Sequence, residues 1–477
     1  MSNTLLTILI VISISFLNFN YCKESLRFAF ALTRNGVRSP LILDENKKDI
    51  FGEEWIGRGE LTKIGKRQQL LLGYHFYLRY VENLSLLSKV YDPREVYFSS
   101  TETNYTLQSS YAQVHGLYLQ GVPLVNDAQK NNAIPPNIEP KYLPEKELLE
   151  NNALPNNMMI APVHTFYEKD HTIELHKIQN CKNLGKYYEN KQKSKEVTDI
   201  MNDIIDQFGN GLLKIINKQG KGDITIENLK TNFTLFEIII DTFISEFSMG
   251  GRMRDKFLFN HQKLYDKAME FINIYSIGGF NFKKYEDENI INEERQLSCI
   301  SISPTMEKIL NWMDTKINND MMKKYDIKSY SSPKFVDYIL HSSSLSVFHL
   351  FMAENFSFEK KFKQISFSSS LLLELYRNDT DLPNLGKNSF MVKYIFDNEE
   401  LLNIPYEKFY NKIKNILKSE KELHNYCGFE KEGFDFYILY TIGLTILITS
   451  MSVYIIHYKR NKRTNPISSL NQNKALK

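Results

Sequence analysis

Cysteine is scarce in this 477-residue chain. Cys22, Cys181, Cys299 and Cys427 are its only thiols, and none has the Cys-x-x-Cys or Cys/His spacing of a structural zinc site. An internal repeat, a low-complexity tract and a Gly-rich nucleotide loop are all missing, so the sequence points to no metal and no cofactor. A long basic block is missing ahead of the C-terminus, and 59 Lys and Arg against 56 Asp and Glu leave a formal charge of only +3. No electrostatic footprint for nucleic acid is present. What the chain does have is apolar mass: 42% hydrophobic residues beside 24% charged ones suffice for one large core or two moderate ones and exclude extended disorder.

Two apolar runs stand apart from that core. Leu5–Leu17 is too short for a bilayer span and has the length of a secretory signal, with cleavage expected near Cys22, so residues 1–22 are read as leader. Phe436–Ile456 carries no charge and is long enough to cross about 30 Å of hydrocarbon as a helix. Lys459, Arg460, Lys462 and Arg463 follow it directly. By the positive-inside rule, residues 458–477 form a cytosolic tail, 434–457 a single transmembrane helix, and 23–433 a lumenal or extracellular domain. Asn-x-Ser/Thr sequons at Asn83, Asn104, Asn232, Asn355 and Asn378 fit a glycosylated ectodomain. If Cys22 leaves with the leader, the remaining three thiols, in an oxidising compartment, make one disulfide and leave one over. A location in the secretory pathway follows, in lysosome, endosome or plasma membrane.

Leu26–Leu32 is a nearly continuous apolar run ending in a Gly- and Pro-containing turn, the pattern of a strand buried on both faces of a parallel sheet. Thr62–Tyr80 reads as a helix with Thr62 as N-cap and Ile64, Leu71, Leu72 and Phe76 as its apolar positions. Val96–Phe98 then reads as strand and Thr106–Leu119 as helix. Residues from about 155 to 300, rich in Lys, Asn, Asp and Ile, are expected to form a mainly helical insertion. Afterwards the alternation resumes with a strand at Phe335–Leu340, a helix at Ser344–Met352, and closing strands at Ser366–Tyr376 and Phe390–Phe396.

The turn after the first strand is Thr33-Arg34-Asn35-Gly36-Val37-Arg38-Ser39-Pro40, where Arg34 and Arg38 can converge on one phosphate as bidentate donors. It resembles the Arg-His-Gly-x-Arg-x-Pro signature of the histidine acid phosphatases, with Asn35 in place of the histidine. Further blocks are similar to that family in the same order: Gly59 to Gly65 with Gln68, Gly73, Arg79 and Tyr80; Val96 to Glu102 with Gln108, Ser109, Ser110 and Gly116; Pro162 to Thr165; Tyr338 to His341; and Leu373 to Tyr376. The resemblance implies a three-layer α/β/α core with a helical cap and, in active members, two-step hydrolysis of phosphate monoesters. It also implies a disulfide between Cys181 and Cys427, leaving Cys299 unpaired or joined to Cys22. Family members often dimerise, so a homodimer is a candidate assembly.

The same resemblance shows what is missing. In active members the signature histidine attacks phosphorus, arginines bind the equatorial oxygens, and an aspartate after a second histidine protonates the leaving group. The amide nitrogen of Asn35 has its lone pair delocalised and cannot serve as nucleophile. Ser342, after His341, is far too weak an acid. Tyr105 stands where the third block carries an arginine, so a positive charge is lost as well. Arg34, Arg38 and His341 remain as candidate ligands of phosphate or a similar anion, the alternative being that they pair with acids such as Glu102. His164, His341 and the hydroxyls of Ser342–Ser344 are the alternative candidate nucleophiles, and of these only His341 is placed by the resemblance to face the phosphate. The expectation is a pseudophosphatase that keeps an anion or partner site; a phosphatase using other groups and a purely structural glycoprotein are the competing readings.

Overall fold

The computed structural model describes residues 24–124, 126–136, 152–165, 182–220, 223–250, 260–275, 288–322, 332–356, 365–380, 386–427 and 436–464. The segment expected to be a leader, which includes Cys22, lies outside the described residues, as do Cys181 and the end of the expected tail. The chain divides into two units, Met1–Leu423 and His424–Lys477.

The first unit is an α/β structure around a sheet of β1 (Glu24–Arg34), β2 (Val96–Ser100), β3 (Val163–Thr165), β4 (Phe335–Leu340), β5 (Ser370–Asn378), β6 (Phe390–Phe396) and β7 (Glu399–Pro405), in the order β3-β2-β4-β1-β5-β6-β7. β1 runs parallel to β4, as do β2 and β3 beyond it, but pairs antiparallel with β5. The sheet is therefore mixed and not purely parallel as β1 suggested, because an apolar run buried on both faces reads the same beside either kind of neighbour. Phe28 and Phe30 point to one face, with Trp312, Tyr338 and Phe348 within 6.2 Å between ring centroids. Ala29 and Ala31 line the other with Phe76, Tyr80, Val114 and Leu117.

Helices cover both faces. On the alanine side lie α1 (Lys63–Phe76, continued by a π-helical turn over Tyr77–Asn83) and α2 (Asn104–Leu117), whose inward residues belong to one core cluster with that face of the sheet. Thr62 caps α1 by accepting from Gly65 N at 3.0 Å. The buried positions of α1 are Gly65, Gln69, Gly73 and Phe76, whereas Leu71, expected inside, is 55% exposed. Helix contact there is made by backbone: a Cβ on Gly73 would lie 2.0 Å from Gln113 O, and one on Gly116 2.0 Å from Leu70 O.

After the short α3 (Asp127–Asn132) come α4 (Lys182–Gln192), α5 (Lys195–Asn217), α6 (Ile226–Thr231), α7 (Phe233–Ser248) and α8 (His261–Tyr275). Apolar faces of α5, α7 and α8, with Leu229 of α6 and Phe51, form a core of their own. α9 (Glu288–Met322) contains Pro304, and α10 (Ser342–Phe356), α11 (Tyr406–Lys414) and α12 (Glu420–Cys427) complete the described helices before α13 (Phe436–Thr464) in the second unit. Among the described residues no helix is long and apolar enough to cross a membrane; the side chains of 436–443, which open α13, are outside the description. Cys427 is disulfide-bonded and Cys299 is a free thiol.

Candidate functional site: the turn at the end of the first strand

Because β1 is the central strand flanked by β4 and β5, its carboxyl end is where groups from several elements converge. The turn leaving it is held by its backbone. Gly36 N donates to Ser109 Oγ at 3.2 Å and Val37 N to Gln68 Oε1 at 3.0 Å, while Val37 O accepts from Thr62 Oγ1 at 2.8 Å. Gln69 Nε2 donates to Arg34 O at 2.8 Å. A Cβ on Gly36 would meet Gly65 O at 2.5 Å, so this turn needs glycine for close approach. Gly36→Ala is expected to cost about 1–3 kcal/mol of stability, read from urea denaturation, as the turn is pushed off α1.

Arg34 is 7% exposed, and its guanidinium lies over the Phe367 ring at 4.0 Å with one nitrogen donating to Ile365 O at 2.5 Å. Its Nε has no partner, and among the described residues it forms no ion pair. Burial pushes it down to about 10, opposed first by Tyr265, aided by repulsion from Arg38, and opposed again by Asp241 and Tyr105. Arg38 is placed differently. Its fork meets Asp241 of α7 at 2.7 and 3.3 Å, with Ser39 O at 3.0 Å. Burial opposes its charge, but Asp241 and then Tyr105 more than offset that and hold it above the usual arginine value.

Asn35, 3% exposed, donates from Nδ2 to Gly36 O at 2.8 Å. His341 follows β4 and is half-buried; Nδ1 meets Tyr105 OH at 3.1 Å and Nε2 meets Thr101 Oγ1 at 3.3 Å. The Tyr105 ring stands 5.3 Å from the Arg38 guanidinium. Ser342 opens α10 beside His341, and Ser344 is buried. The turn thus brings Arg34, Asn35 and Arg38 together, and Tyr105 links Arg38 to His341. His164 stacks on Tyr97 at 4.6 Å between centroids and is exposed. Asn83, Asn104 and Asn232 are exposed, while Asn355 and Asn378 are half-buried. Asn104 Nδ2 and Gln108 Nε2 both donate to Glu60 near Tyr105 in sequence.

Sequence reasoning missed Asp241. Glu102, an example of the acids that Arg34, Arg38 and His341 would meet in the alternative reading, is exposed, and the acid that does meet Arg38 lies 203 residues away on α7. The one available signal was a lone aspartate following three isoleucines in FTLFEIIIDTFISEFS.

The chain belongs to the histidine phosphatase superfamily, branch 2, whose family model matches residues 25–397. It is similar to the lysosomal acid phosphatase of Xenopus laevis, 23% identical over 398 residues that cover 83% of this chain and 74% of that one. Putative acid phosphatase 10 of Caenorhabditis elegans is 24% identical, covering 77% and 82%. Among solved structures, the phytase from Citrobacter braakii has the same fold, with a TM-score of 0.53 at 12% identity over 84% of this chain and 99% of that one.

Proposed function

We propose that the chain is a membrane-anchored, glycosylated acid phosphatase-like protein of the secretory pathway that binds a small anion without hydrolysing a phosphate ester. The observation that carries this reading is the amide of Asn35 in the place of the nucleophilic histidine, donating to Gly36 O and offering phosphorus no lone pair. Tyr105 and Ser342 support it, standing where the resemblance requires a third cation and a general acid. Arg34, buried and without a carboxylate among the described residues, supports retained anion binding together with Arg38 and His341.

In the same reading the domain is a three-layer α/β/α core with a helical cap at roughly residues 155–300, and α13 is the membrane anchor of residues 434–457. Its described part exposes Ile446, Leu447, Ile448, Met451, Val453 and Ile456, a surface suited to lipid. The similarity to lysosomal acid phosphatases favours a lysosomal or other secretory location. The bonded state of Cys427 accords with a Cys181–Cys427 disulfide.

The test is the purified full-length chain with p-nitrophenyl phosphate from about pH 4 to 8, where histidines and tuned carboxyls titrate. No turnover above buffer is expected. Inorganic phosphate at about pH 5, as its monoanion, is expected to raise the unfolding midpoint, by an amount equivalent to about 2.7 kcal/mol at a hundred times Kd, and Arg34→Ala to abolish the effect. Turnover that disappears in Arg34→Ala would show a working phosphatase, with His341 the first group to examine. Neither turnover nor stabilisation would leave a structural scaffold.

A further inference from the structure

The pocket carries less positive charge than its arginines suggest. Asp241 sits 2.7 Å from one Arg38 nitrogen and 3.3 Å from another, and the same carboxylate accepts from Leu41 N at 3.1 Å. Two donors from a guanidinium fork and one backbone N–H are the partners a bound oxyanion would claim. The chain's own carboxylate, delivered by α7, has taken them. Arg34 is left as a buried cation with an unpartnered Nε and, among the described residues, no carboxylate, and His341 is engaged by Tyr105 and Thr101.

We infer that Asp241 makes this a site for a singly charged oxyanion centred on Arg34, one that discriminates against dianions such as a phosphate monoester above its second pKa of about 6. The inference rests on the anion pocket proposed above and specifies the ligand it takes. A monoanion on Arg34 balances a pocket cation that has no counter-charge among the described residues. A dianion must either keep a surplus negative charge beside Asp241, in surroundings drier than water, or displace Asp241 from Arg38 and from Leu41 N. Glu237, one turn earlier on α7 and half-buried, adds to the negative side of that balance.

Perrhenate and tungstate are tetrahedral oxoanions of similar size with one and two negative charges, so they separate charge from shape. Titrated calorimetrically into the full-length chain at one mildly alkaline pH, perrhenate is expected to bind at least tenfold more tightly than tungstate. Asp241→Asn keeps the side chain's shape and an acceptor for Leu41 N; it should tighten tungstate at least tenfold, about 1.4 kcal/mol, and move perrhenate by less than threefold. Tungstate bound as tightly as perrhenate by the unchanged chain, or a preference that Asp241→Asn leaves unmoved, would overturn the charge assignment while leaving the pocket in place. Binding of neither anion by the unchanged chain would remove the pocket itself, and with it both readings. The comparison within the unchanged chain needs no variant to fold.

Discussion

Asn35→His combined with Tyr105→Arg and Ser342→Asp is expected to turn the chain into a measurable phosphomonoesterase, while Tyr105→Arg or Ser342→Asp alone leaves it inert. Asn35 Nδ2 lies at the same remove from its Cβ as the Nδ1 of a histidine, and it donates to Gly36 O at 2.8 Å. An imidazole in its place can make that bond through Nδ1–H, which fixes the tautomer and leaves Nε2 with its lone pair free. Tyr105 already stands between Arg38 and His341, so an arginine there adds positive charge where a dianion needs it, next to the Asp241 that offsets crowding of like charge. Ser342 begins α10, where a carboxylate in the first turn is tolerated by the helix dipole.

The effects will not add. Without a nucleophile the other two changes have no covalent step to assist, whereas with it the acid should contribute roughly 10²–10⁴-fold to the rate. A burst of p-nitrophenol and a phosphorylated side chain at position 35 are the expected signatures. A folded triple variant with neither would mean that the pocket no longer holds a phosphoryl group in line.

Much of the fold was legible because burial is written into composition. β4 coincides with its expected span, Phe335–Leu340, since all six residues are buried between β1 and β2. β7 was not foreseen: Glu-Glu-Leu-Leu-Asn-Ile-Pro is an edge strand whose residues are half-buried or exposed, and it lacks the apolar run that marked the others. The inward face of α1 was assigned to apolar residues when glycines carry the contact, because period counting finds side chains and not the places where a backbone needs none. In the site, Arg34, Asn35 and Arg38 were legible as one turn. Asp241 was not, since a contact across 203 residues leaves no trace in local spacing.

Glu374→Ala is expected to destabilise the protein by about 3–5 kcal/mol in urea denaturation, more than any change at the proposed anion site. Glu374 is fully buried on β5, and its carboxylate accepts from Arg79 Nε at 2.7 Å and from another nitrogen of that guanidinium at 2.6 Å. Tyr80 OH at 2.9 Å and Tyr376 OH at 2.7 Å donate to the same group. Removing it strands a guanidinium 26% exposed and two largely buried phenols. Arg79→Ala should cost as much by leaving the carboxylate alone, and the double variant should cost less than the sum. These residues come from two of the blocks that carry the family resemblance, and they join α1 to the sheet without touching Arg34 or Asn35. Arg34→Met, which keeps an apolar contact with Phe367 and removes a buried unpaired charge, is expected to leave stability unchanged or raise it in the same measurement. If instead Arg34→Met destabilised the chain as much as Glu374→Ala, Arg34 would be a structural cation and not one held ready for a ligand. The opposite signs follow from one rule: a buried charge stabilises only with its partner in place, and Arg34 has no carboxylate partner among the described residues.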